Sequence, residues 1–387
     1  MTSRTYRLRE IAPPIPSATT PIGERVWLLN LDQIEPHTGT LLSKEYVQCS
    51  AVGTSTHAFD EGNVLYSKLR PYLNKVLLPD AAGYCTSELV PLRPNQELVT
   101  REYLAAYLRS FSFLNWVCQQ VDGAKMPRVS MKVLWEHSIE LPTLDEQKRI
   151  TAILQKSDML RSKRQETIRL TDEFLRAVFI DMFGVPGASC KWPESFVANM
   201  VSNIESGWSA PSSDRDLSDQ DLAVLKVSAV STGWFLPDEA KPVDREMVDR
   251  PLVFPRRGDL LFSRANTREL VAACCLVEED VDNRFLPDKL WRVTADPKQA
   301  TNEYLCYLFR HPAFRHELTK QATGTSGSML NISQAKLLST PAPLPPVALQ
   351  QKFTKIVNRS QLARRNSLNS LRDLQSLQES LTAKLFG

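Results

Sequence analysis

Long apolar runs are missing from this 387-residue sequence: no stretch approaches the roughly 18 consecutive apolar residues that a membrane-spanning helix needs. Residues 1–16 hold no apolar core of signal-peptide length, so the protein is expected to stay in the compartment where it is made. Cysteine is sparse too. Seven cysteines, an odd number at irregular spacings, argue against a disulfide scaffold and for a reducing compartment. Cys274 and Cys275 are adjacent within an apolar run, which predicts a buried strand and not a redox or metal site. Neither sign of charge is in large excess, and the formal net charge of +3 neither requires nor excludes a nucleic-acid partner.

Signatures of catalysis are absent as well. No Gly-x-Gly-x-x-Gly follows a strand-like run, and no Gly-x-x-x-x-Gly-Lys-Ser/Thr phosphate loop is present. The Asn/Asp-Pro-Pro-aromatic motif of amino methyltransferases is missing. Five histidines (His37, His57, His137, His311, His316) are scattered, and no Cys/His spacing resembles a zinc site. The sequence therefore assigns no catalytic residue and no metal ligand, and it has the pattern of a binder.

What the chain does have is a repeat. Leu141-Pro142-Thr143-Leu144-Asp145-Glu146-Gln147-Lys148-Arg149-Ile150 returns as Leu344-Pro345-Pro346-Val347-Ala348-Leu349-Gln350-Gln351-Lys352-Phe353. The register then holds without a gap through Ile153/Ile356, Ser157/Ser360, Arg161/Arg364 and Ile168/Leu371 to Phe183/Phe386 and Gly184/Gly387. A globular-sized segment precedes each copy, which implies a molecule of two modules.

Each repeat carries apolar residues at three- and four-residue steps with no internal Gly or Pro, from Ile150, Ile153, Leu154 and Leu160 to Phe174, Leu175, Val178 and Met182, and from Phe353, Ile356 and Val357 to Leu381 and Leu385. That spacing predicts two helices of roughly 37 residues, about 55 Å each. A helix of that length with one apolar stripe needs a partner stripe. If each copy is the other's partner, chain connectivity makes the pair antiparallel. Ser157, Arg164 and Ser360 interrupt the stripe and suit a register-setting role. The second helix has seven Lys/Arg against two Asp/Glu, an excess that suits either a track along DNA phosphates or a solvated face.

The segments before the helices match more weakly. Glu61-Gly62-Asn63-Val64-Leu65-Tyr66-Ser67-Lys68 parallels Arg257-Gly258-Asp259-Leu260-Leu261-Phe262-Ser263-Arg264, Glu102-Tyr103-Leu104 parallels Glu303-Tyr304-Leu305, and Gly123–Ser130 parallels Gly324–Ser333. Runs 26–31, 64–67, 225–230 and 290–294 predict strands, so each head reads as a mixed α/β module. Polar clusters recur at matching places. The first head offers Ser67, Lys68, Arg70, Tyr72, Asn74 and Lys75, with Lys125 and Arg128 in its Gly-containing loop; the second offers Arg256 and Arg257, Ser263, Arg264, Asn266 and Arg268, with Thr325, Ser326 and Ser328 in its loop. Arg and Asn make bidentate contacts with base edges, whereas Lys and Ser serve phosphates. At the helix starts, Leu144, Glu146, Gln147, Ile150 and Ile153, and their counterparts Val347, Gln350, Phe353 and Ile356, form candidate partner-docking patches.

These motifs resemble those of specificity subunits of type I restriction-modification systems. The Leu-Pro-Thr-Leu-Asp-Glu-Gln-Lys-Arg-Ile run at 141–150, with the helix closing Phe179-Ile180-Asp181-Met182-Phe183-Gly184, is similar to their central region, and 344–353 to its C-terminal counterpart. Gly-Asp-Leu-Leu-Phe-Ser-Arg at 258–264 and Gly-Asn-Val-Leu-Tyr-Ser-Lys at 62–68 resemble a signature of their target-recognition domains. The second copy departs from the pattern at Ala348-Leu349, where the first has Asp145-Glu146.

The resemblance implies a mixed α/β fold with pseudo-twofold symmetry, in which two target-recognition domains (1–142 and 185–343) are separated by two long antiparallel helices (143–184 and 344–387) forming a coiled coil. It implies a bacterial or archaeal cytoplasmic, non-catalytic subunit that reads one half of a bipartite, asymmetric site in double-stranded DNA with each head. The paired helices would act as the ruler between the halves. It further implies two modification methyltransferase subunits as partners, which bind S-adenosylmethionine themselves, and a restriction translocase that completes the nuclease. Two other readings follow from the residues alone: a coiled-coil scaffold whose heads bind only proteins, and a DNA-modifying enzyme with an unrecognised site.

Overall fold

A computed structural model describes residues 4–17, 23–123, 125–187, 191–213, 215–324 and 329–386. It divides into two compact units, residues 1–165 with 369–387, and residues 166–368. Each long helix is shared between these two units. Both helices are unbroken over 40 residues, Leu144–Phe183 and Val347–Phe386.

In the first unit, Val64–Ser67 is the middle strand of a three-stranded antiparallel sheet between Val76–Leu77 and Leu89–Leu92. A second sheet has the order Tyr46–Gln48, Arg25–Leu29, Gly83–Thr86, Thr56–Phe59. Side chains on a strand alternate between faces. Val64 and Tyr66 accordingly enter one core while Leu65 enters another, with Trp27 and Phe59. Helices Arg101–Arg109 and Phe111–Cys118 cover the first core. The hydroxyls of Thr100 and Ser110 accept from Tyr103 N (3.2 Å) and Phe113 N (3.3 Å), which caps both helices. The chain enters through Arg4–Arg7, paired antiparallel with Ser138–Leu141. Ile150 and Leu154 of the first long helix and Leu385 and Phe386 of the second pack into the same core. The Phe386 ring meets Tyr103 and Tyr107 at 5.5 and 5.7 Å.

The second unit repeats this framework. Leu260–Ser263 lies between Leu290–Ala295 and Cys274–Leu276, and Val201–Ser206 flanks Leu290–Ala295. Leu260 and Phe262 face one core and Leu261 another; Cys274 and Cys275 divide likewise and are both buried strand residues. Helices Asn302–Arg310 and Pro312–Lys320 cover the larger core, with Thr301 accepting from Tyr304 N at 3.2 Å. Glu194–Phe196 pairs with Pro341–Pro343 as the entering strand of the first unit pairs with Ser138–Leu141. Phe183 packs on Tyr304 (5.0 Å), the counterpart of Phe386 on Tyr103.

Within each unit the two long-helix segments run antiparallel. Gln378 Nε2 donates to Asp158 Oδ1 at 3.2 Å in the first. In the second, Phe353 meets Phe179 at 5.7 Å while Arg364 faces Asp172. Two sequence expectations need correction. The run 225–230 is not one strand: the strand ends at Leu225 and a helical turn, Ser228–Ser231, buries Ala229 and Val230. The apolar stripe is also misphased in part. Ile153, Leu160, Phe174 and Leu377 are exposed, while Ile150, Leu154, Ser157, Leu175, Phe179, Phe353, Val357, Arg364 and Ser367 are buried. Arg164 is exposed, so among the described residues of the two long helices the buried arginine is Arg364. Apolar residues lie on more than one side of these helices, so periodicity alone cannot choose the inward face.

Candidate nucleic-acid interface

In both heads the strand that carries the repeated motif ends in a buried serine. Ser67 Oγ donates to Leu69 O (2.8 Å) and Ser263 Oγ to Ala265 O (3.4 Å). The next residue is held by the same two backbone bonds in each head. Lys68 N donates to Glu88 O (3.0 Å) and Lys68 O accepts from Val129 N (3.0 Å); Arg264 N donates to Lys289 O (3.0 Å) and Arg264 O accepts from Ile332 N (2.8 Å). The turn that follows is tight in both. Arg70 and Asn74, each at φ 49°, flank Pro71–Leu73, and Ala272 at φ 64° occupies the place of Asn74. Non-glycine residues adopt this left-handed region at a cost, which fixes the turn's shape when the surroundings enforce it.

These bonds bring together segments far apart in sequence. In the first head, Arg70 N donates to Pro127 O (2.7 Å) and Leu69 bridges Arg128, so the loop holding Lys125 and Arg128 lies against the turn holding Lys68, Arg70 and Tyr72. Arg70, Tyr72, Lys125 and Arg128 are exposed. In the second head, Ala265–Asn266 pairs with Leu330–Asn331, and Asn331 and Thr323 exchange N–H···O bonds of 2.8 and 2.9 Å. The same loop is thereby brought beside Arg264 and Asn266; its Thr325, Ser326 and Ser328 lie outside the described residues. Arg268 is exposed.

Several predicted contact residues have structural duties instead. Ser67 and Ser263 are buried. Asn74 is buried and its amide donates to Arg109 O (3.0 Å). Lys75 Nζ donates to Leu31 O (2.6 Å), and burial holds its ammonium below the usual lysine range. Arg256 and Arg257 precede strand Leu260–Ser263 whereas Arg264 and Arg268 follow it; Arg256 pairs with Asp282. Arg128 pairs with Glu88 at 2.8 Å, and the guanidinium depresses the Glu88 carboxyl below its usual range. Sequence reading missed Glu88, and it missed Trp291, whose ring lies 5.7 Å from the Arg264 guanidinium. The Arg264 Nε is buried with no hydrogen-bond partner. Neither residue lies in a motif, and only the strand pairing brings them in.

At the helix starts, Gln147 and Gln350 are fully buried, as are Ile150 and Phe353 within the cores. Their side chains fill the junction between head and helix. Leu144, Glu146, Val347 and Ile356 are half-buried and Ile153 is exposed. Among the described residues no group of three or more His, Cys, Asp or Glu is placed to hold a metal ion, and no helix is long and apolar enough to cross a membrane.

Two units of one framework each present cations and an amide from a turn bonded to a distant loop segment. Residues 49–170 match the family model of the type I restriction modification DNA specificity domain. Among curated proteins, the chain is 28% identical over 167 residues to the type I restriction enzyme EcoEI specificity subunit of Escherichia coli, and 29% over 119 residues to the EcoDI specificity subunit. Those matches cover 43% and 31% of this chain but only 28% and 26% of the relatives' own lengths. Two solved structures share the fold. One is a type I restriction-modification S subunit from M. genitalium (12% identity, TM-score 0.61, 100% of this chain and 96% of that one). The other is a chain solved for the structural basis of complex assembly and conformational transition of the type I R-M system (19%, 0.55, 99% and 97%). Residues 49–170 thus carry the specificity domain of the family that the motifs resemble, and the curated relatives are specificity subunits.

Proposed function

We propose that this chain reads double-stranded DNA for a type I restriction-modification complex, each head recognising one half of a bipartite, asymmetric sequence. Lys68, Arg70, Tyr72, Lys125 and Arg128 would form the contact surface of the first head, and Arg264, Asn266 and Arg268 that of the second. The observation that carries this reading is the recurrence, in heads that otherwise differ widely, of one turn-and-loop crossing with cations on it. A shared scaffold with different side chains is what two readers of different half-sites need. Catalysis would belong to two modification methyltransferase subunits carrying S-adenosylmethionine, with restriction translocase subunits completing a nuclease. Leu144, Glu146, Ile153, Val347 and Ile356 remain as the docking surface, at the same place in each repeat. The long helices would set an unread spacer, and the complex would work in the cytoplasm.

The test is selection from a random DNA pool by the chain assembled with its methyltransferase partner. Two short conserved half-sites at fixed separation are expected. Enrichment of no sequence by an assembled complex would favour a protein-binding scaffold, and methylation or cleavage by the chain alone would favour an enzyme.

A further inference from the structure

In the second unit, a buried arginine of the helix pair is gripped from the head. Arg364, 8% exposed, lies with its guanidinium 3.4 Å from the centroid of the Trp234 ring. Its Nη1 bonds Glu278 Oε1 at 3.2 Å, and its Nε lies 3.8 Å from Asp172 Oδ1. The Trp234 indole N–H donates to Asp172 Oδ2 at 3.2 Å, so the ring touches both long-helix segments at once. Arg310 sits 5.2 Å from the same ring and packs on Gly233, where a Cβ would come within 2.8 Å of its Nη2. Arg365 pairs with Glu279 beside this group. Burial raises the Asp172 and Glu278 carboxyls and lowers the Arg364 guanidinium, so each charge depends on its partners.

The first unit has the same frame without the grip. Arg109, the counterpart of Arg310, packs on Gly39, where a Cβ would come within 3.0 Å of its Nη1. The residue after Gly39 is Thr40, where Trp234 follows Gly233. Arg161, the counterpart of Arg364, is half-buried and lies 4.0 Å from Asp158 of its own helix.

We infer that Arg364 is a positioning residue: clamped by Trp234, Glu278 and Asp172, it fixes the second head on its helix pair and thereby the separation at which the second half-site is read. This rests on the proposed DNA-reading function. A cation held against an aromatic face and two carboxylates resists both sliding and rotation, which an apolar contact does not. Arg161 has no such grip, so the equivalent change in the first unit should be silent.

The test uses the full complex, with methylated adenines mapped genome-wide for wild type, Arg364→Met, Arg364→Lys, Trp234→Leu and Arg161→Met. Hydrogen exchange is followed over residues 228–239. For Arg364→Met and Trp234→Leu we expect unchanged half-sites, a spacer relaxed to neighbouring lengths and at least tenfold faster exchange; Arg364→Lys should restore part of both, and Arg161→Met should match wild type. Trp234→Leu leaves the ion pairs intact and covers the case in which Arg364→Met does not fold. Wild-type spacer and exchange in both folded variants would overturn the clamp, as would an altered half-site. A wild-type complex with no bipartite motif would instead overturn the DNA-reading proposal, and exchange alone would then decide whether the clamp exists.

Discussion

Gln350 Oε1 accepts the backbone N–H of Thr301 at 3.0 Å, while its Nε2 donates to Gln299 O (3.0 Å) and Pro345 O (2.8 Å). Gln147 does the same in the other unit, accepting from Thr100 N (2.9 Å) and donating to Leu98 O (2.9 Å) and Pro142 O (3.0 Å). Thr100 and Thr301 cap the helices that cover each core, so one amide locks the long helix, the strand before it and the capped helix together. Replacing either glutamine with Ala strands one N–H and two C=O groups in a buried site. A loss of about 3 kcal/mol is expected, because each unsatisfied group costs roughly 1–3 kcal/mol and some will find water. Urea denaturation of the two variants measures it. A loss under about 1 kcal/mol would mean the amide is not the lock.

The two neighbours Ser263 and Arg264 should separate structure from reading. Ser263→Ala removes one buried hydroxyl bond, about 1 kcal/mol of stability, and should leave the selected DNA sequence unchanged. Arg264→Ala should barely change stability but weaken binding by roughly 1–3 kcal/mol and relax one half-site only. Pool selection with each variant checks the contrast.

Salt dependence should distinguish free cations from paired ones. Removing Lys125 or Arg70 should lower the slope of log K against log salt by about 1 each, as expected for a phosphate contact. Arg128 is engaged by Glu88, so Arg128→Gln should lower it less. Equal slopes for all three would contradict the assignment.

Acid should act on the first head through Asp60. Its carboxylate accepts from both terminal guanidinium nitrogens of Arg93 at 2.8 Å, and these bonds hold its pKa well below the ordinary value of 3.8. A depressed folded pKa contributes stability above the unfolded value that is lost as pH falls toward the folded one. Wild type should therefore lose stability as pH drops below about 4, and Asp60→Asn should lack that part of the dependence, as denaturation at pH 3 and pH 6 would show.

If the helices are the ruler, equal insertions in both should alter the spacer and nothing else. Four residues, about one turn or 6 Å, added within each of Leu144–Phe183 and Val347–Phe386 should lengthen the spacer while both half-sites persist. An altered half-site with an unaltered spacer would contradict this.

Much of this architecture is written in the chain as repetition. Phe183/Phe386 and Gln147/Gln350 keep register because both copies fill the same junction. The repeat therefore exposed the helices, their antiparallel pairing within each unit and the α/β heads. It did not show which polar residues face outward. Ser67 and Asn74 look like contact residues in sequence, yet each closes a backbone bond that only the folded turn creates. Gln147 looks like a surface amide until Thr100 and Leu98 arrive from 47 and 49 residues away. Trp234 lies in no motif and Arg364 is one matched position of the helical repeat among many, so their stacking is legible only in three dimensions. Local pattern encodes elements; burial of a polar group depends on partners distant in sequence.

On the proposed function, this chain chooses the DNA sequence. The most direct measurement maps methylated adenines in cells carrying the chain with its methyltransferase partner, against cells lacking only the chain. A bipartite motif with a fixed unread spacer is expected, and it should disappear when the chain is deleted. An unchanged methylation pattern, with the methyltransferase demonstrably active, would contradict it.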